Sequence, residues 1–183
     1  MINKVKYYIL ILFIGIISNI ALAFIILFLN IPFLFMDSIG TILTAVILGP
    51  LYGAIVGIIT NLITSVTIDY INLHFAIVNV LIGLIAGFIA RKYDFTKIKV
   101  SIISGLIIAI IAGSISAPIS IILAKGFTTG TIDQYIKALI NSGKSLTTSA
   151  SIGTFLTNIS DKIVSCLLVS LSVKNVYFFK MYK

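Results

Sequence analysis

The sequence predicts an all-α polytopic membrane protein: one domain over residues 1–183, six transmembrane helices, and both termini in the cytoplasm. Three observations carry that expectation. Hydrophobic residues make up 60% of the chain and charged residues 10%, which excludes a soluble domain with a polar surface. The apolar residues come in continuous runs. And the polar side chains inside those runs (Asp37, Asn61, Asn79, Asn158 and Asp161) fall in one half of the membrane, the other half being almost pure Ile, Leu, Val, Ala and Gly. Such asymmetry describes a cavity open on one side and sealed on the other, not a pore.

The first span, Tyr7–Leu29, is interrupted only by Ser18 and Asn19. A bilayer core needs roughly 20 helical residues, so this segment spans alone. Asn3-Lys4-Val5-Lys6 and Ala21-Leu22-Ala23 imitate a signal peptide, but the apolar run continues past the triplet to Leu29, too long for an h-region. An uncleaved first helix is expected. The second span runs from Asp37 to Leu48 and breaks at Gly49-Pro50; the third runs from Leu51 to Val66. Both are short for a perpendicular crossing and are expected to borrow Ile31–Met36 and Thr67–Ile71. His74–Ala90, Val100–Ala124 and Ser151–Val173 complete the six. Each run exceeds the length of a buried strand.

An even number of spans puts both termini on one side. Lys4, Lys6, Arg91, Lys92, Lys97, Lys99, Lys174, Lys180 and Lys183 then share that side, while Lys125, Lys137 and Lys144 face the other and Lys162 lies within a span. The positive-inside rule makes the first side cytoplasmic, in a plasma membrane crossed several times. The net charge of +8 is therefore topological, and nucleic acid is not an expected partner.

The loop 125–150 is then extracellular. Within it, Thr131–Asn141 combines a capping-box spacing (Thr131, Gln134) with apolar residues at helical intervals, and Asn141-Ser142-Gly143 stops it. This reads as a short lid helix over the outer mouth, with Ser145–Ser151 behind it as a flexible hinge.

Depth brings the polar residues to one level. At 1.5 Å per residue, Asn79 sits about 7–8 Å and Asn158 about 10–12 Å below the outer surface, with Asp161 roughly one turn deeper. Thr154, Asn158, Asp161 and Ser165 form one face of the sixth helix. A charge at the bilayer centre costs about 2.5–3.5 kcal/mol, so Asp161 implies water, a partner or a ligand. Two readings stand: ligand contact or gating, and a structural role in a helix cap or a pair with Lys162, the latter strained because adjacent residues point about 100° apart. Asn61 and Asn79 divide in the same way between binding and helix–helix hydrogen bonding. Tyr70, Asn72 and His74 lie at the outer mouth, where an aromatic belt accounts for Tyr70 as well as binding does.

Small residues recur at Gly49, Gly53 and Gly57, and at Gly83 and Gly87, faces suited to close helix packing. Gly15, Ser18 and Ala21 form a less regular patch on the first helix, a candidate partner interface. No cofactor or metal is expected. His74 is the only histidine, glutamate is absent, and the lone Cys166 has no disulfide partner. Gly143-Lys144-Ser145 imitates the end of a P-loop, but position 138 is Ala where the motif needs Gly.

Asp37-Ser38-Ile39-Gly40-Thr41, followed by Leu48-Gly49-Pro50-Leu51-Tyr52-Gly53-Ala54, Gly57 and Asn61, resembles the substrate-binding S components of energy-coupling factor (ECF) transporters. So does Asn158-Ile159-Ser160-Asp161-Lys162. The resemblance implies capture of a vitamin or related micronutrient, and delivery with a transmembrane T component and two cytoplasmic ATPases. Family docking uses an Ala-x-x-x-Ala face of helix one, from which this chain departs: Asn19 follows Gly15, and Ile25 follows Ala21, at i+4. A ligand-sensing membrane domain of a signalling system is the alternative; such domains precede an output domain, and ten residues, 174–183, follow the sixth span. An enzyme is not expected, because no acid–base pair or metal cluster is visible. A stand-alone transporter would repeat the Gly-Pro break in its second half.

Overall fold

Inside hydrocarbon only the chain itself can satisfy backbone N–H and C=O groups, so each apolar run must close its own hydrogen bonds. The computed structural model describes residues 3–127 and 132–175, and in them every regular element is helical. These are α1 (Lys4–Leu29), α2 (Ile39–Leu48), α3 (Pro50–Thr67), a 3-10 turn (Tyr70–Leu73), α4 (Ala76–Lys92), α5 (Ile98–Ala124), α6 (Asp133–Asn141) and α7 (Leu146–Asn175). Four of them, α1, α3, α5 and α7, are long and apolar enough to cross a membrane. Lys180 and Lys183, and Thr131 of the expected capping box, lie outside the described residues.

Gly49 ends α2 at φ 108°, a backbone region costly for other residues, and Pro50 opens α3 at its first position, where no N–H is needed. The break between the two helices is therefore as expected. The segment before α2 is not. Ile31–Met36 does not lengthen the helix, because Asn30, Phe33 and Met36 adopt left-handed conformations that turn the chain instead. A second difference concerns Ser145–Ser151. All but Ser145 belong to α7, which starts five residues before Ser151. The Ser145 hydroxyl accepts the Thr148 N–H at 3.1 Å, so the serine that suggested a hinge is a helix cap.

The glycine faces bring helices together. A Cβ on Gly83 would lie 2.5 Å from the backbone of Gly53, and Gly87 faces Pro50 equally closely. The α3–α4 seam is thus a backbone-to-backbone contact that only hydrogen side chains permit. Gly15 and Gly40 do the same for α1 and α2. Gly15 therefore faces inward, against Gly40, Thr44 and Val56, and cannot belong to an outward patch; Ser18 is half-buried and Ala21 exposed.

The end of the bundle holding the start of α1 and the end of α7 is closed by a dry core. Tyr7, Ile11, Phe95, Ile108 and Val173 are buried there, with Phe95 plugging it from the α4–α5 turn. Ser101 and Ser104 are buried at that end too, their hydroxyls bonded to carbonyls of their own helix. Asn19 is buried at the α1–α2–α3 junction, donating to Thr41 and Thr60 and accepting the Gly40 N–H at 2.6 Å.

Overpacking a tight core costs about 1–3 kcal/mol. Gly83→Ala is accordingly expected to lower the thermal unfolding midpoint of the detergent-purified protein. Ala21→Leu, on the exposed side of α1, should leave it unchanged. Equal midpoints would show that the α3–α4 seam yields without cost.

Candidate binding cavity

Neither Asp161 nor Lys162 is tolerable alone in an apolar span, so the site begins with what each one touches. The lysine's flexible stem lets Nζ fold back to Oδ2 of Asp161, the neighbour that backbone geometry alone makes awkward. The same ammonium donates to the Ser38 hydroxyl at 2.7 Å and meets Oδ1 of Asp37 at 3.4 Å. The remaining Asp161 oxygen accepts two backbone N–H groups, from Phe35 at 3.0 Å and Met36 at 2.7 Å. Asp161 is wholly buried, with both oxygens engaged. It ties α7 to the turn that leads into α2. Gly105 makes the other side of this anchor: α5 packs along α7 there, directly against Lys162 and Ile163.

Next to the charge cluster runs a chain of amides. Asn79 donates to the Asn61 side chain at 2.6 Å and to the Asp37 carbonyl at 3.4 Å. Asn61 donates onward to the Asn72 carbonyl at 2.7 Å. Asn158 donates to Ser116 and to the Thr154 carbonyl. Two buried atoms have no hydrogen-bond partner among the described residues although they belong to residues lining a cavity: Oδ1 of Asn79 and Oγ1 of Thr157. Leaving a buried polar group unpaired costs about 1–3 kcal/mol.

That cavity, about 770 Å³ counting its open mouth, lies between α4, α5 and α7, with α6 above it. Ile132 and Ile136 come down from the α6 segment, and Ile136 fits against Gly153 of α7. Phe35 and Phe75 add aromatic wall, while Asp37, Lys162, Asn79 and Asn158 supply polarity. The short helix expected at Thr131–Asn141 is present as Asp133–Asn141, with Gln134 and Lys137 exposed. Its Tyr135 packs edge-on against Phe33 at 5.4 Å.

Of the residues named from sequence, Asp37, Asn79, Thr154 and Asn158 line this cavity. Asn61 lines an adjoining one of about 540 Å³ that shares Asp37, Phe35 and Asn72. Tyr70 and His74, with ring centres 5.8 Å apart, border a shallow recess further out. Asp161 stands behind the wall and lines none of the three. Sequence reasoning passed over Thr157, Ser116, Ser120, Asn19 and the cavity-facing part of Lys162. The signal for some was there: Thr157 follows Thr154 at i+3, and Ser116 precedes Ser120 at i+4. Among the described residues, no group of three His, Cys or Asp side chains gathers to hold a metal ion.

A family model described as "ECF transporter, substrate-specific component" matches residues 2–173. No curated protein and no solved structure matches the chain.

Removing one partner of a buried ion pair costs about 3–5 kcal/mol, whereas removing both can be nearly neutral. Asp161→Ala is expected to lower the unfolding midpoint strongly in detergent, and Asp161→Ala with Lys162→Met to recover only part. The unrecovered part belongs to the Phe35 and Met36 N–H groups and to the Ser38 and Asp37 contacts of Lys162. Full recovery in the double variant would show that those contacts add nothing.

Proposed function

The chain belongs to the substrate-specific component family of ECF transporters, and we propose that it captures a vitamin or related micronutrient from outside the cell in the cavity beneath α6. It is a multi-pass membrane protein and a substrate-specific transporter subunit, a family of binding subunits and not of enzymes. The observation that carries the capture reading is the pair of buried, unpartnered polar atoms at the cavity, Asn79 Oδ1 and Thr157 Oγ1. Buried polar groups are otherwise almost always paired, so a ligand is their natural complement.

In this reading α2 and α4 complete six spans, both termini lie in the cytoplasm, and the cavity mouth opens outward at the plasma membrane. Asp37, Asn79, Thr154, Thr157 and Asn158 contact the ligand. Asp161 acts at one remove, by holding Lys162 and the Phe35–Met36 turn in place. Asn61 supports Asn79, and Tyr70 and His74 flank the approach from outside. The P-loop-like triplet lacks its leading glycine, so energy comes from partners, a transmembrane T component with two cytoplasmic ATPases. The exposed side of α1 around Ala21, with Ser18 at its margin, is the part of the expected patch still open to a partner. Helix α6 closes over bound ligand and excludes water.

The detergent-purified subunit is expected to bind its ligand without ATP, and vesicles are expected to accumulate it only when T component and ATPases are co-reconstituted. Accumulation by the isolated chain in energised liposomes would sink the subunit reading. Asn158→Ala should weaken binding by about three- to tenfold, the effect of one neutral hydrogen bond.

Closure of α6 is tested separately by hydrogen exchange. Ligand should slow exchange at residues 135–140 more than at the α4–α5 turn, 91–97. Strong protection of α6 with and without ligand would make it a fixed interfacial helix and not a lid.

A further inference from the structure

The donors and acceptors lining the cavity are unequal in number, and that imbalance restricts what can bind. Lys162 is the only cation among the described lining residues. Its ammonium has three hydrogens, and its three partners are Asp161, Ser38 and Asp37. That ammonium has no hydrogen left for a ligand anion. The hydroxyl hydrogens of Ser116 and Ser120 are likewise committed, to the carbonyls of Ala112 and Ala117. Both amide hydrogens of Asn158 go to Ser116 and Thr154, and Asn79 donates to Asn61 and the Asp37 carbonyl.

Acceptors are left over. Asn79 Oδ1 is buried without a partner. The side-chain oxygen of Asn158 enters none of that residue's hydrogen bonds, which use its Nδ2. Asp37 is 40% exposed and engages Lys162 only through Oδ1, at 3.4 Å. Two carboxylates, Asp37 and Asp161, stand against one ammonium, so the cluster carries a net charge of −1. Around these acceptors the wall is apolar and partly aromatic, with Phe35, Phe75, Ile82 and Ile136.

Building on the capture reading above, we propose that the cavity selects a compact, flat ring whose polar edge donates hydrogen bonds and whose net charge is zero or positive. Phosphorylated and carboxylate-bearing forms are rejected. An anion would meet like charge and unpaired acceptors at once, and a site whose buried polar groups are left unpaired discriminates strongly. The ring body occupies the space between the phenylalanines and isoleucines, and its N–H edge faces Asp37, Asn79 and Asn158. Thr154, Thr157 and the side-chain amide of Asn72, which all both donate and accept, suit either polarity and do not decide the class.

Three isosteric probes test this: benzamidine, benzamide and benzoate, which share a flat ring and differ in the charge and donors of one substituent. Binding to the full-length protein in detergent is followed by ligand-observed NMR titration. Benzamidine is expected to bind at least about tenfold more tightly than benzoate, with benzamide between them. In Asp37→Asn the benzamidine-to-benzamide ratio should fall to within about twofold. Benzoate binding as well as benzamidine overturns the proposal, and the wild-type order decides even if the variant fails to fold. Native mass spectrometry of protein purified from rich medium separates this from the capture reading. A co-purified anion overturns the ligand class and leaves capture standing. A co-purified neutral or cationic N–H compound supports both. Absence of any co-purified compound together with silence from all three probes overturns both.

Discussion

One buried ion pair fixes the geometry on which the rest of the site depends. Charge in hydrocarbon is costly unless paired and hydrogen-bonded, and adjacent charges on α7 meet that demand by recruiting a distant part of the chain. Asp161 takes the N–H groups of Phe35 and Met36, and Lys162 takes Ser38 and Asp37. Those bonds hold a turn containing two left-handed, non-glycine residues, Phe33 and Met36. Such conformations persist only where surrounding structure over-determines them. Because the turn is held, Phe35 and Asp37 stand at the cavity and Phe33 meets Tyr135 of α6. The charge pair thus sets the wall and part of the roof without lining the cavity through Asp161 itself.

Glycine sets the level at which these groups meet. Gly53 and Gly57 against Gly83 and Asn79, and Gly15 against Gly40, bring backbones closer than any side chain would allow. Close approach is what lets short amides bridge helices. Asn79 reaches Asn61 across the α3–α4 seam, and Asn19 reaches Thr41 and Thr60 across two. Each small residue removed from such a seam would separate donors from acceptors as well as loosen packing. The largely apolar core around Phe95 and Ile108 then closes the far end, with the polar level between it and the cavity mouth.

Much of this was readable in the chain. Run lengths gave the helices, Gly49-Pro50 gave the break, and the glycine intervals gave the packing faces, because each is a local property of sequence. Asp37, Asn79 and Asn158 were identifiable as polar residues converging on one level, since helical rise converts position into depth, and Thr154 as part of the polar face of the sixth helix. The short helix α6 followed from its apolar period. The family resemblance came from two segments, and the family match extends it over residues 2–173.

What tertiary structure alone decided was which polar atoms are already spoken for. Sequence places Asp161 beside Lys162 and Asn158 but does not reveal that one of its oxygens is spent on Phe35 and Met36, 126 and 125 residues away. Gly15 looked like part of an outward patch until Gly40 was found against it. Ser145 read as a hinge because serine suits both a flexible loop and a helix cap, and only the Thr148 N–H chooses between them. Residue type and spacing determine what a side chain is able to bond and how deep it lies. Hydrogen-bond partners are chosen by long-range contacts, and the capacity left over after that choice is what makes a binding site.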